Sequence, residues 1–175
     1  MSYVDAGGSV KKRADFKEAE KAAYNLIEEF GLDKPPIDPV ALAEALGVKV
    51  YFAEFDEGDI AGFYDAEEVA IYVNKDEYPA RQTFTIAHEL GHHLLHREWA
   101  NSTDYKVLLR ESRDGDLPKD PYEQEADAFA AHLLVPRHML RSYSPYASTS
   151  DLTRLFMVSA PVIRNRMKFE GISDN

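Results

Sequence analysis

No feature constrains this chain more than residues 88–92, which read His88-Glu89-Leu90-Gly91-His92. They lie in a stretch whose pattern predicts a helix from Tyr78 to about His96. On a helix, residues four apart share a face, one turn from each other. Two imidazoles placed that way can grip one divalent metal ion without distorting the backbone. Glu89, directly after the first, brings a carboxylate able to take a proton from water at that ion. A chance match to three specified residues in a chain this long is rare, on the order of one in a few hundred. Gly91 lies mid-helix, where glycine costs roughly 1 kcal/mol against alanine. Close approach of a substrate or of another segment would explain that cost, and so would tight packing alone.

Two histidines are two ligands, and a hydrolytic zinc site usually has three, with an open position for water. A third is available in the segment from Pro121 to Val135. Pro121 suits a first helical turn, with Asp120 as N-cap. Ala126, Phe129, Ala130 and Leu133 recur at helical spacing and mark a buried face. Glu123 belongs to that side, and Asp127 lies one turn on. Glu123 can therefore reach the metal while Asp127 accepts a hydrogen bond from the far nitrogen of a ligand histidine, fixing its tautomer. Glu125 competes for the ligand role, but it points about 200° around the helix from Glu123. It is read as a solvated charge.

Other histidines are read differently. His96 is one turn past His92 but roughly 12 Å along the axis from His88, so an unbroken helix cannot bring all three to one ion. It is read as a polar residue near the helix C-terminus, where a partly charged imidazole suits the dipole. His132 is read as a surface or core-edge residue, with an oxyanion donor as the alternative. Among ten tyrosines, Tyr122 stands beside the third ligand and is the first choice to polarise a carbonyl.

These motifs resemble a known family. The runs from Arg81 to His96 and from Glu123 to Pro136 are similar to the ImmA/IrrE metallopeptidases, a gluzincin pattern of His-Glu-x-x-His followed by Glu-x-x-Ala-Asp. Family members often carry Asn where this chain has Asp127, and either side chain accepts a hydrogen bond. The lead-in from Pro39 to Val48 also fits, so the resemblance spans about Ala19 to Gly171. It implies a zinc-dependent endopeptidase that cuts one specific regulatory protein, such as a DNA-binding repressor of a mobile element or stress response.

Composition narrows the alternatives. The 175 residues suffice for one domain with a proper core. A net charge of −11 argues against unspecific binding to DNA or anionic lipid by the whole surface. There is no cysteine, so a metal must be held by His, Asp and Glu. Neither a signal-type apolar segment nor a transmembrane stretch is visible, which argues against a membrane peptidase and makes a cytoplasmic location the expectation.

Along the chain, Ala19, Ala22, Ala23, Leu26, Ile27 and Phe30 predict a helix stopped by Gly31. Asp38, Pro39 and Gly47 bracket a second one. Val48–Phe55, Ile60–Tyr64 and Val69–Asn74 read as strands, the last two joined as a hairpin through residues 65–68. Residues 105–109 read as a short strand or helical turn, and residues 110–120 as a loop. The segment from Asp151 to Met167 resembles a helix-turn-helix, with Ser159 capping its second helix. Arg154, Arg164, Arg166 and Lys168 make it locally basic.

The expected fold is α+β. A zincin-like metallopeptidase domain over residues 1–141 combines a small twisted sheet, the His-Glu-x-x-His helix and the third-ligand helix. A helix-turn-helix-like segment over residues 142–175 packs on it. His88, His92 and Glu123 are expected to hold one Zn²⁺ per chain, Glu89 to act as base and Asp127 to support a ligand histidine. An edge strand, Ile60–Tyr64 or Val69–Asn74, is expected to pair with an extended protein substrate. Strong DNA binding by this chain itself is not expected. The reading from another class is a metal-dependent transcription regulator or antitoxin-like binder. Glu89 weighs against it, since a structural site needs ligands but no base.

Overall fold

The computed structural model describes residues 11–56, 60–105 and 119–173. Helix α1 (Phe16–Glu29) starts where the Asp15 side chain accepts the Glu18 N–H, and it buries Ala19, Ala23, Leu26 and Ile27. Helix α2 (Pro39–Ala45) has Pro39 in its first turn and Asp38 accepting from the Val40 and Ala41 N–H groups. Both caps satisfy main-chain donors that a helix start leaves unpaired.

Strands β1 (Lys49–Ala53), β2 (Gly62–Asp65) and β3 (Ala70–Asn74) form one sheet in the order β1-β3-β2. The β2–β3 hairpin is antiparallel, as its turn residues imply. Strand β1 pairs parallel with β3, with Lys49 opposite Ala70. Strand β3 is therefore central and paired on both sides. Of the two segments expected to serve as an edge, Val69–Asn74 cannot, and β2 remains. Tyr51, Phe63 and Tyr72 stack across the outer face, with centroids 5.3 and 5.0 Å apart. Tyr64, Ile71 and Val73 are buried in the core.

Helix α3 (Pro79–Leu95) carries the His-Glu-x-x-His run, and α4 (Arg97–Ala100) follows directly. Helix α5 (Pro121–Leu134) starts at Asp120, which accepts the Tyr122 N–H at 2.6 Å. Residues 103–105 are helical. Residues 106–118, which include most of the expected short element and loop, lie outside the described residues, as do residues 1–10.

Helices α3 and α5 pack so closely that a Cβ on Gly91 would lie 3.0 Å from the Phe129 ring and 3.3 Å from the Ala126 Cα. Gly91 thus marks the close approach of α5. Gly62 does the same for the sheet: a Cβ there would lie 2.7 Å from Thr85 Cγ2 on α3 and 2.6 Å from the Tyr72 carbonyl oxygen. Ile86, Leu90, Phe129, Ala130 and Leu133 fill the core around the α3–α5 contact. Fully burying a side chain of leucine or phenylalanine size is worth roughly 1.5–3 kcal/mol, so this seam contributes much of the stability.

Helix α6 (Arg137–Tyr143) leads through a 3₁₀ turn, Ser144–Tyr146, to α7 (Thr149–Phe156) and α8 (Ala160–Glu170). Ser148 and Asp151 form a reciprocal capping box at the start of α7. Met157, at φ 56, makes the turn between the last two helices. Arg166 ties α8 down: its Nε donates to the Val135 carbonyl at 3.0 Å and its Nη2 to Glu170 at 2.7 Å. No helix among the described residues is long and apolar enough to cross a membrane.

Candidate metal centre

Helix periodicity places His88 and His92 on one face of α3, and the α3–α5 contact brings Glu123 to them. The Nε2 atoms of His88 and His92 are 3.2 Å apart. Glu123 spans both rings, with Oε2 3.1 Å from His88 Nε2 and Oε1 3.0 Å from His92 Nε2. Among the described residues, these three form the group able to hold a metal ion, with ligand atoms all within 4.8 Å of one another. Tetrahedral ligands about 2.0–2.1 Å from zinc lie roughly 3.3 Å apart, so two imidazoles and a carboxylate at these separations suit that ion.

Each ring is held from behind. His88 Nδ1 is 2.9 Å from Asp127 Oδ1, and Lys119 pairs with the other Asp127 oxygen. Asp127, one turn beyond Glu123 on α5, thus faces the far nitrogen of His88. His92 is fully buried, against the rings of Trp99 and Tyr105. Its Nδ1 is 3.1 Å from His96 Nδ1, and His96 Nε2 is 2.6 Å from Glu125 Oε2.

Two readings of single residues are overturned here. Glu125 is not a solvated charge: it is 3% exposed and bonded to His96, Lys11 and the Asp15 N–H. His96 is not a partly charged cap. Burial lowers its pKa against the pull of Glu125, which favours the neutral ring. His93 turns toward the sheet, with its Nδ1 2.7 Å from the Tyr64 hydroxyl. His132 is buried between α1 and α8, its ring against Tyr24 and Phe169. Tyr122 stacks flat on Trp99, 4.5 Å away.

The tyrosine that meets Glu89 is Tyr105. Its hydroxyl accepts the Tyr64 N–H at 2.8 Å and donates to Glu89 Oε2 at 3.1 Å. Sequence reasoning missed it, because its position fell in a segment with no clear periodicity. Strand β2 has β3 on one side and offers the Tyr64 N–H to Tyr105.

Burial pushes the Glu89 carboxyl up to about 7, against the opposing effect of His88. Burial likewise drives His92 down to about 4, with Glu123 opposing. Glu123 lies well below the ordinary carboxylate range, because His92 and His88 outweigh its burial. His88 is held well above its ordinary value, as Glu123 and Asp127 outweigh burial there.

Beside Asp127 a groove of about 620 Å³ opens, with Phe16, Phe84, Ala128, Val162 and Phe169 among its walls.

Residues 43–168, more than half of the chain, match the IrrE N-terminal-like domain, a peptidase family model. The chain belongs to the ImmA/IrrE family.

Relatives of this ImmA/IrrE chain differ in length. It is 30% identical over 145 residues to the "uncharacterized immunity region protein 2" of Bacillus phage phi105, covering 82% of this chain and 84% of that one. It is 31% identical over 123 residues to the radiation response metalloprotease IrrE of Deinococcus deserti, covering 70% of this chain and 42% of that one. For the metallopeptidase ImmA of Bacillus subtilis, identity is 31% over 102 residues, or 56% of this chain and 55% of that one. The chain therefore spans about half the length of these IrrE and ImmA relatives. A solved Mycobacterium tuberculosis transcriptional regulator shares the fold, with a TM-score of 0.63 and 19% identity over 87% of this chain and 46% of that one.

Proposed function

We propose that this ImmA/IrrE chain is a zinc-dependent endopeptidase that cleaves a specific regulatory protein, such as a DNA-binding repressor. His88, His92 and Glu123 hold one zinc ion per chain, and Glu89 is the general base. The observation that carries this reading is the convergence of three ligand atoms beside a buried carboxylate that is not among them. A purely structural site has no need of Glu89.

Bound there, zinc supplies a Lewis acid for the scissile carbonyl and makes water more acidic. The chain's own residues do the rest. Glu89, fixed by the Tyr105 hydroxyl, takes the proton of the attacking water and returns it to the leaving amine. Asp127 and Lys119 keep the His88 ring oriented. The outer edge of β2 takes an extended substrate as an added strand, and Tyr105 yields the Tyr64 N–H to it. The apolar groove beside Asp127 receives a substrate side chain.

The chain is read as a zincin-like domain over residues 1–141 carrying the α7–α8 pair, a helix-turn-helix-like unit, over residues 142–175. That pair is assigned to recognising the protein substrate. The burial of Arg166 at 2% exposure supports this, since one of the segment's four basic residues is committed to the interior.

Metal analysis of purified variants tests the ligand set. The parent should carry one zinc ion per chain, and His88→Ala, His92→Ala and Glu123→Ala should each lose it. If Glu123→Ala keeps zinc at parental affinity, the third ligand is wrongly assigned.

A further inference from the structure

We propose that His96 and Glu125 are positioning residues that hold the His92 imidazole in the one tautomer able to bind a metal through Nε2. This deepens the reading of His88, His92 and Glu123 as ligands and rests on it.

Proton counting sets the direction of each bond. Glu125 takes the Asp15 N–H on Oε1 at 2.5 Å and the Lys11 ammonium on Oε2 at 2.6 Å. A carboxylate with two such donors is an ionised acceptor. His96 Nε2, 2.6 Å from Glu125 Oε2, must therefore carry a hydrogen. A neutral imidazole has one, so His96 Nδ1 is bare and accepts. Facing it at 3.1 Å, His92 Nδ1 must then be the donor. The remaining nitrogen of His92, Nε2, is left with a free lone pair. It lies 3.2 Å from His88 Nε2 and 3.0 Å from Glu123 Oε1, among the proposed ligands.

The opposite tautomer would leave two bare nitrogens facing each other at the His92–His96 contact, both buried. Two buried acceptors left facing each other lose the hydrogen bond and water cannot replace it, which disfavours that tautomer. Both rings are buried, His92 at 0% and His96 at 4% exposure, so water has little access to make up the loss. The edges of Trp99 and Tyr122 close over His96, 6.2 and 5.0 Å from its centroid.

One helix thereby serves the centre from three directions. Glu123 faces the ligand cluster, Asp127 backs His88 directly, and Glu125 backs His92 through His96. Each imidazole ligand has its own carboxylate behind it. Because Lys11 and the Asp15 N–H bind Glu125, the start of α1 is also tied to the metal centre.

Two measurements on the full chain test the proposal. In ¹⁵N-labelled, zinc-free parent protein near the alkaline side of the imidazole range, about pH 8, long-range ¹H–¹⁵N spectra report the His92 tautomer directly. The expected result is a proton on Nδ1, and a proton on Nε2 would overturn the assignment without any variant having to fold. The second is zinc affinity by chelator competition. His96→Phe, which keeps the ring but cannot accept, should bind zinc about 10–100-fold more weakly. His96→Asn, whose amide oxygen can accept from His92 Nδ1, should recover most of that loss. A folded His96→Phe protein with parental zinc affinity would overturn the proposal. His92→Ala serves as control: if it keeps zinc, the ligand reading itself has failed, and not merely the role of His96.

Discussion

At the scale of single residues, burial without a partner is as informative as the ligand cluster. His132 is 5% exposed, and its Nδ1 has no hydrogen-bond partner among the described residues. Glu20 Oε1, at 3.9 Å, is too far to be one. Burial, reinforced by the Arg166 charge and opposed by Glu170, brings its pKa down to about 4. Arg137 adds to the lowering, and Tyr24 and Phe169 pack on the ring. In the unfolded chain the same ring titrates near the ordinary value of about 6.5. Below that pH the unfolded state binds a proton that the folded state refuses. His132 therefore stabilises the fold fully above about 6.5, and this contribution is lost as pH falls toward 4. Urea unfolding of zinc-free protein should show the parent losing up to about 3 kcal/mol more than His132→Phe across that window. Parallel pH profiles for the two proteins would show that His132 is not held neutral.

At the scale of elements, the seam between α3 and α5 decides the site. Alanine at position 91 would gain roughly 1 kcal/mol of helix propensity. Its Cβ, though, would meet the Phe129 ring at 3.0 Å and the Ala126 backbone at 3.3 Å, so α5 would have to give by a few tenths of an ångström. Overpacking of that kind typically costs 1–3 kcal/mol. Gly91→Ala should therefore lower the unfolding free energy by up to about 2 kcal/mol in chemical denaturation, despite being the better helix former. A stabilised variant would mean that α5 can give way and that the seam is not tight.

Elements set by local chemistry were legible before the structure. Asp38 with Pro39 marks α2, Asp120 with Pro121 marks α5, and the hairpin turn read at residues 65–68 falls at 66–69, one residue later. What could not be read depends on partners distant in sequence. The parallel pairing of β1 with β3, which makes β3 central, leaves no trace in either strand's pattern. His88, His92, Glu123 and Asp127 could be grouped because helical spacing places them in pairs. Glu125 and His96 were misread for the same reason. Spacing gives a direction around a helix, but it does not say that α1 will bury that direction beneath Lys11 and Asp15.

At the scale of the whole molecule, charge separates two readings of the C-terminal helices. A net charge of −11 opposes approach to a phosphate backbone. Within the basic segment, Arg166 is buried against Glu170, and Arg154 is paired with Asp151 at 2.8 Å. Few cations remain to release counterions, so duplex DNA should bind this chain only weakly at about 150 mM salt. Tight, sequence-specific binding that disappears in Arg154→Ala and Arg164→Ala, with cleavage intact, would instead assign α7 and α8 to DNA.

The central claim is that Glu89 does chemistry at a zinc site, and it can be measured on one pair of proteins. Zinc-loaded parent and zinc-loaded Glu89→Gln are each incubated with a purified DNA-binding repressor of the proposed substrate class, and metal content is measured in the same samples. Gln keeps the shape of Glu89 but cannot act as a base at neutral pH. The account predicts that both proteins hold one zinc ion per chain. It also predicts that the parent cuts the repressor while Glu89→Gln turns over several orders of magnitude more slowly. A zinc-loaded Glu89→Gln protein that cleaves at the parental rate would contradict it.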